Sequence, residues 1–173
     1  MRIGEDLIRQ AQLGDSEAFS HVYEAYQEII LVYCKSLLKD KERAEEIAQD
    51  TWLQALKSIG ETGPDLKISG WLHRIAHNKC LDELRRRNRI GFVPLEFVDP
   101  ETGSMDGPSV PATSPSLATL LETLPEAEKN VLLLRFEQRL SMSEIAWTLG
   151  LSLSTARKLL RTGIAKAGAL LKD

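Results

Sequence analysis

The feature that most constrains this chain is the segment from Gly91 to Ser116, which holds five of its seven prolines (Pro94, Pro100, Pro108, Pro111, Pro115), three glycines and no Lys or Arg. Proline fixes φ and removes an amide donor, so neither a helix interior nor a central strand runs through such a stretch. The segment reads as an extended, mobile linker that divides the 173 residues into parts of 1–90 and 117–173 around a junction of 91–116.

In both flanks apolar residues recur at three- and four-residue spacing, which predicts helices near 4–13, 15–38, 40–59 and 69–89, then near 117–123, 126–138, 142–149 and 153–171. Asp15, Asp40 and Ser69 stand where helix N-caps are needed, and Gly60 to Pro64 breaks the pattern before the fourth helix. The expected fold is all-α, with an N-terminal helical bundle and a C-terminal helix-turn-helix domain joined by a flexible linker. A composition of 43% hydrophobic and 27% charged residues suits such folded domains.

The net charge of −3 argues against a nucleic-acid partner only while it is treated as an average. Residues 1–90 carry 14 Lys and Arg against 15 acids, the linker carries only the acids Glu96, Asp99, Glu101 and Asp106, and residues 118–173 carry 8 basic against 6 acidic side chains. The acidity is therefore concentrated between two nearly neutral or basic domains. The absence of an apolar stretch of membrane-spanning length and the acidic start of the chain predict a cytoplasmic protein without a membrane partner. Cys34 and Cys80 fall on apolar helical positions and read as buried thiols.

Ser141 to Gly150 followed by Leu151 to Arg161 gives a short helix, a glycine turn and a second helix, the pattern of a helix-turn-helix. Ile145, Ala146, Leu149, Leu151, Ala156, Leu159 and Leu160 are the expected packing residues. That leaves Ser154, Thr155, Arg157, Lys158 and Arg161 facing outward, a set of hydroxyls and cations suited to phosphates and guanine edges. A helical hairpin with a solvated charged face, or a protein-docking unit, would share the pattern.

On the helix after Gly60, helical spacing puts Trp71, Arg74, Asn78, Arg85 and Arg89 in one sector, with Arg86 and Arg87 adding charge to the last turn. An aromatic beside a cationic track suits single-stranded nucleic acid. The competing reading makes Trp71 a core residue and the arginines a balance for the helix dipole. The preceding helix carries Glu42, Glu45, Glu46, Gln49 and Asp50 beside Ile47, Trp52, Leu53 and Leu56, which suits docking on a basic surface or a solvated face.

Two metal readings and an enzymatic one are weaker. His73, His77 and Cys80 lie at i, i+4 and i+7 but lack a fourth ligand, and the carboxylates from Glu42 to Asp50 lack a second acidic helix opposite. No nucleophile arrangement or phosphate-cradling glycine loop occurs in the sequence, so neither a cofactor nor a metal is expected, and no catalysis.

Taken together, Gly14-Asp-Ser-Glu-Ala-Phe19, Ala44-Glu-Glu-Ile-Ala-Gln-Asp-Thr-Trp-Leu53, Trp71-Leu-His-Arg-Ile-Ala-His-Asn78 with Asp82 and Arg85-Arg86, Leu124-Pro125, Val131-Leu-Leu-Leu-Arg-Phe136 and Ser143-Glu-Ile-Ala146 resemble the extracytoplasmic-function sigma factors of bacterial RNA polymerase. The resemblance covers about residues 5–90 and 117–171. It implies that Glu45, Glu46, Gln49, Asp50 and Leu53 dock on the β′ clamp helices of core polymerase. It also implies that Ile68, Trp71, Arg74, Asn78, Arg85, Arg86 and Arg89 meet the −10 promoter element, with an unstacked base near Asn78. The helix-turn-helix would bind the −35 element through Ser154, Thr155, Arg157, Lys158 and Arg161 while touching the β flap, the linker would thread toward the RNA exit path, and an anti-sigma factor would hold the free protein.

This chain departs from the family pattern at three places. Ile68 stands where relatives carry an aromatic, Leu159 replaces an expected arginine, and Thr162-Gly163 replaces an Arg-Ala pair. Fewer cations weaken phosphate anchoring. A sigma-like protein that binds polymerase or a regulator without selecting promoters is the alternative this leaves.

Overall fold

The computed structural model describes residues 3–90 and 123–170. The expected linker 91–116 and the short helix expected near 117–123 lie outside the described residues, apart from Thr123. Four helices precede the gap: α1 (Glu5–Gln12), α2 (Ser16–Leu38), α3 (Lys41–Ser58), followed by a 3₁₀ turn (Ile59–Glu61), and α4 (Ile68–Ile90). Three follow it: α5 (Glu126–Leu132), continued by a π turn (Leu133–Glu137), α6 (Met142–Leu149) and α7 (Leu153–Leu170).

Helix starts follow local chemistry. The Asp15 carboxylate accepts from Glu17 N and Ala18 N at 2.9 and 3.1 Å, and Asp40 accepts from Arg43 N at 3.1 Å, each satisfying amides that the first turn leaves unpaired. Ser141 and Glu144 form a reciprocal capping box on α6. The expectation of Ser69 as the cap of α4 is corrected: the first helical bond runs from Trp71 N to Lys67 O, so Ser69 lies inside the first turn. The cap position is two residues earlier, at Lys67, which draws Ile68, 5% exposed, into the core.

Helices α2, α3 and α4 pack around Val22, Ile30, Tyr33, Ile47, Trp52, Leu72 and Ala76, with α1 closing one end through Ile8 and Ala11. Tyr23 and Phe19 meet the Trp52 ring edge-on, with centroids 4.9 and 6.3 Å away. Cys34 and Cys80 are fully buried in this core, as their pattern predicts. Mutual contact and burial push the Cys80 thiol up.

In the second unit α5 packs against α7. Gly163 is buried there, and a Cβ on it would lie 3.1 Å from Leu132 Cδ1, so the small residue permits a close crossing of the two helices. The carboxylate of Glu128 beside it accepts two bonds from Lys166 Nζ, both 2.9 Å. The two units are not separate in space: Val131, Leu134, Leu140 and Ile145 belong to the same buried cluster as Ile68 and Leu72.

Candidate nucleic-acid interface

The acidic stripe of α3 follows from its periodicity. Ala44, Ile47, Ala48, Thr51, Trp52 and Ala55 are buried, which turns Glu46, Gln49, Asp50 and Leu53 outward in one row. Leu53 and Leu56 are 57% and 55% exposed, an apolar pair beside the carboxylates. Glu45 is set apart from them, since it faces Lys35 of α2 at 3.6 Å.

On α4 the inner face is Leu72, His73, Ala76, His77, Cys80 and Glu83, all buried. Asn78 and Arg85, seven residues apart, are exposed on the opposite side. Arg85 has Asp82 as its partner at 3.2 Å, both side chains being more than half exposed. Trp71 is half-buried and packs against the core.

Ile68 needs a correction, because its side chain is core and not part of an exposed nucleic-acid face. Arg86 is also not a free cation: its Nε and Nη2 donate to Glu83 at 2.9 and 3.0 Å. The side chain of Arg89 lies outside those described. The candidate metal ligands take separate partners: His73 Nδ1 donates to Ser69 O at 2.7 Å, His77 Nδ1 lies 2.9 Å from Tyr33 Oη, and Cys80 meets Cys34. Burial lowers both imidazoles, His77 to about 4.

The second unit covers the N-terminal half of α4. Thr148 Oγ1 donates to Gly70 O at 3.2 Å, and Arg74 Nη1 donates to Trp147 O at 3.2 Å. The Arg74 guanidinium also sits 4.3 Å from the Trp147 ring centroid, a cation–π contact. His73 Nε2 lies 3.3 Å from the side-chain amide of Gln138. A cleft of about 420 Å³ remains between the loop Gly63–Lys67, Trp71, Glu144 and Trp147. None of Gln138, Thr148 and Glu83 was marked by sequence pattern, since the partners that define their roles are distant in the chain.

The helix-turn-helix keeps its outer face clear. Gly150 turns with φ +66, and Ala156 packs inward while Ser154, Thr155, Arg157, Lys158 and Arg161 are exposed. Ser152, absent from the expected set, caps α7. Its Oγ accepts from Thr155 N at 3.1 Å and lies 2.9 and 2.7 Å from the hydroxyls of Ser154 and Thr155. Three hydroxyls at a helix N-terminus, backed by three cations, form a surface of the chemistry that suits phosphate.

Among the described residues, an all-helical fold with a capped helix-turn-helix, an exposed Asn and Arg face on a second helix and an acidic stripe suits a DNA-binding protein that also engages a protein partner. Residues 22–90 match the family model Sigma-70 region 2, and residues 120–166 match Sigma-70, region 4. The chain is 32% identical over 143 residues to RNA polymerase sigma factor YlaC of Bacillus subtilis, covering 80% of this chain and 83% of that one. It is 27% identical over 178 residues to ECF RNA polymerase sigma factor SigW of the same organism, covering 96% and 95%. Its fold is similar to CnrH in complex with the cytosolic domain of CnrY, with a TM-score of 0.71, 24% identity and coverage of 97% and 96%. The chain belongs to the extracytoplasmic-function sigma factors, the promoter-recognition factors of RNA polymerase. Among the described residues no helix is long and apolar enough to cross a membrane.

Proposed function

We propose that three surfaces of this sigma factor divide the work of initiation. The row Glu46, Gln49, Asp50 and Leu53 docks on the β′ clamp helices of core polymerase, with Glu45 steadying α3 against α2. Trp71, Arg74, Asn78 and Arg85 meet the −10 element, Asn78 holding an unstacked base. Ser154, Thr155, Arg157, Lys158 and Arg161 enter the duplex at the −35 element while the same unit touches the β flap. The working division is 1–90 for polymerase and −10 binding, 91–116 as linker and 117–173 for −35 binding. The protein works in the cytosol by binding alone, and an anti-sigma factor restrains it when free.

The observation that carries this reading is the segregation of faces: Glu46, Gln49, Asp50 and Leu53 on α3, Asn78 and Arg85 on α4 and all five residues on α7 are exposed, while Trp71 and Arg74 are half-buried. The −10 and −35 elements are about 25 base pairs apart, roughly 85 Å of duplex at 3.4 Å per step. Arg74 of the −10 surface touches Trp147, which precedes α7 by only a few residues. Binding both elements therefore requires α6 to leave α4.

Two variants test the division. Asn78→Ala lowers promoter opening by about tenfold, from the loss of roughly 1–3 kcal/mol of hydrogen bonding to the base edge, with polymerase affinity unchanged. Asp50→Lys lowers polymerase affinity by at least about tenfold through like-charge contact, and promoter DNA binding by the assembled complex is retained. Equal loss of polymerase affinity in both variants refutes the division.

A further inference from the structure

The last turns of α4 carry more arginine than one DNA backbone contact needs, and a buried carboxylate sorts them. The Glu83 side chain is 3% exposed. Its Oε1 accepts from Arg43 Nε at 3.1 Å, Arg86 Nη2 at 3.0 Å and Arg87 Nε at 3.1 Å. Its Oε2 accepts from Arg43 Nη2 and Arg86 Nε, both at 2.9 Å. Arg43 and Arg86 thus bind it in the two-pronged manner that matches a guanidinium to a carboxylate.

The network extends into α3. Arg87 Nη2 donates to Asp40 Oδ2 at 2.9 Å, and Asp40 is itself the N-cap of α3 through its other oxygen. Arg43 also pairs with Glu46 of the polymerase-facing row. Three arginines are thereby matched by three carboxylates in a chain of charge-assisted bonds joining α3 to the end of α4. The arginines hold the Glu83 carboxyl well below the usual carboxylate range, Arg86 contributing most. Arg85 lies outside this network, its partner Asp82 being 75% exposed.

We propose that Glu83 is a positioning residue that withholds Arg86 from DNA, Arg87 being held by Asp40 as well, so that Arg85 is the phosphate contact of this turn and promoter discrimination is protected from excess non-specific charge. The assignment rests on the sigma reading of α4. Each cation that neutralises a phosphate adds about 0.9 to the slope of log affinity against log salt, so the slope counts the arginines in use.

The experiment uses full-length protein assembled with bacterial core polymerase and a DNA fragment spanning the strongest start site mapped with that complex on genomic DNA. Glu83→Gln is expected to steepen the salt slope by about one and to reduce preference over random-sequence duplex by about tenfold, while Arg85→Gln makes the slope shallower by about one. The double variant Glu83→Gln with Arg86→Gln restores charge balance and returns the slope to the wild-type value. An unchanged slope in Glu83→Gln with only a lower melting temperature overturns the proposal and leaves Glu83 a purely structural ion-pair partner. If Glu83→Gln does not fold, a double variant with a slope shallower than wild type overturns it. Absence of any promoter-specific start refutes the sigma reading, and this assignment with it.

Discussion

At the scale of single residues, His77 links packing to pH. Its ring is buried between α4 and α2 with Nδ1 on the Tyr33 hydroxyl, and burial holds it at about 4. An unfolded chain takes up this proton near pH 6.5, before the folded one does, so the contribution is full above about pH 6.5 and is lost as pH falls toward 4. The loss amounts to about 3 kcal/mol by pH 4. Urea unfolding of wild type and His77→Gln across pH 7 to 4 checks this, and the variant is expected to have the shallower acid decline. Parallel declines contradict this role for His77. Residue positions were legible in the sequence where helical spacing decides them, as for the exposed Asn78 and the buried Cys80. They were not legible where a distant partner decides them. Arg86 reads as a free cation until Glu83 and Arg43 are seen together, and Ile68 reads as a loop residue until the core draws it in.

At the scale of elements, the helices were legible because caps and apolar spacing agree. Asp15 and Asp40 start α2 and α3 as their positions require, and the expected 142–149 helix is α6 with the same limits. The π turn at Leu133–Glu137 was not legible, since the run Val131 to Leu134 is apolar in any helical phase and reads as a continuous helix. Thr162-Gly163 looked like a lost Arg-Ala pair by family pattern, the cation falling on Thr162, whereas the place of Gly163 against Leu132 gives it a packing role. The capping box on α6 permits a clean test of element stability. Ser141→Ala removes the hydroxyl accepting from Glu144 N and is expected to cost about 1 kcal/mol, read as a lower denaturant midpoint at unchanged slope. An unchanged midpoint means that the Glu144 carboxylate, bonded to Ser141 N at 2.9 Å, suffices alone.

At the scale of the whole molecule, two helical units were legible from the proline-rich divide, but their mutual packing was not. It depends on Gly70 lying bare beneath Glu144, on Thr148 meeting the Gly70 carbonyl and on Arg74 covering Trp147. None of these has a local sequence signal. A Cβ at position 70 would lie 3.1 Å from Glu144 Cβ and Cγ, so Gly70→Val is expected to push α6 off α4. Dyes on Lys57→Cys and Ala165→Cys, both exposed, report the separation while the buried Cys34 and Cys80 resist labelling. Lower energy transfer with helicity intact is the predicted result, and unchanged transfer contradicts the view that this contact holds the units together.

As a sigma factor, this chain confers promoter choice on polymerase. The direct measurement is to reconstitute it with bacterial core polymerase and map transcript starts on genomic DNA in vitro. Discrete starts preceded by two spaced sequence motifs, absent with core polymerase alone, are the expected result. Polymerase binding without selective starts would contradict it and favour an interaction protein that uses the same surfaces for another partner.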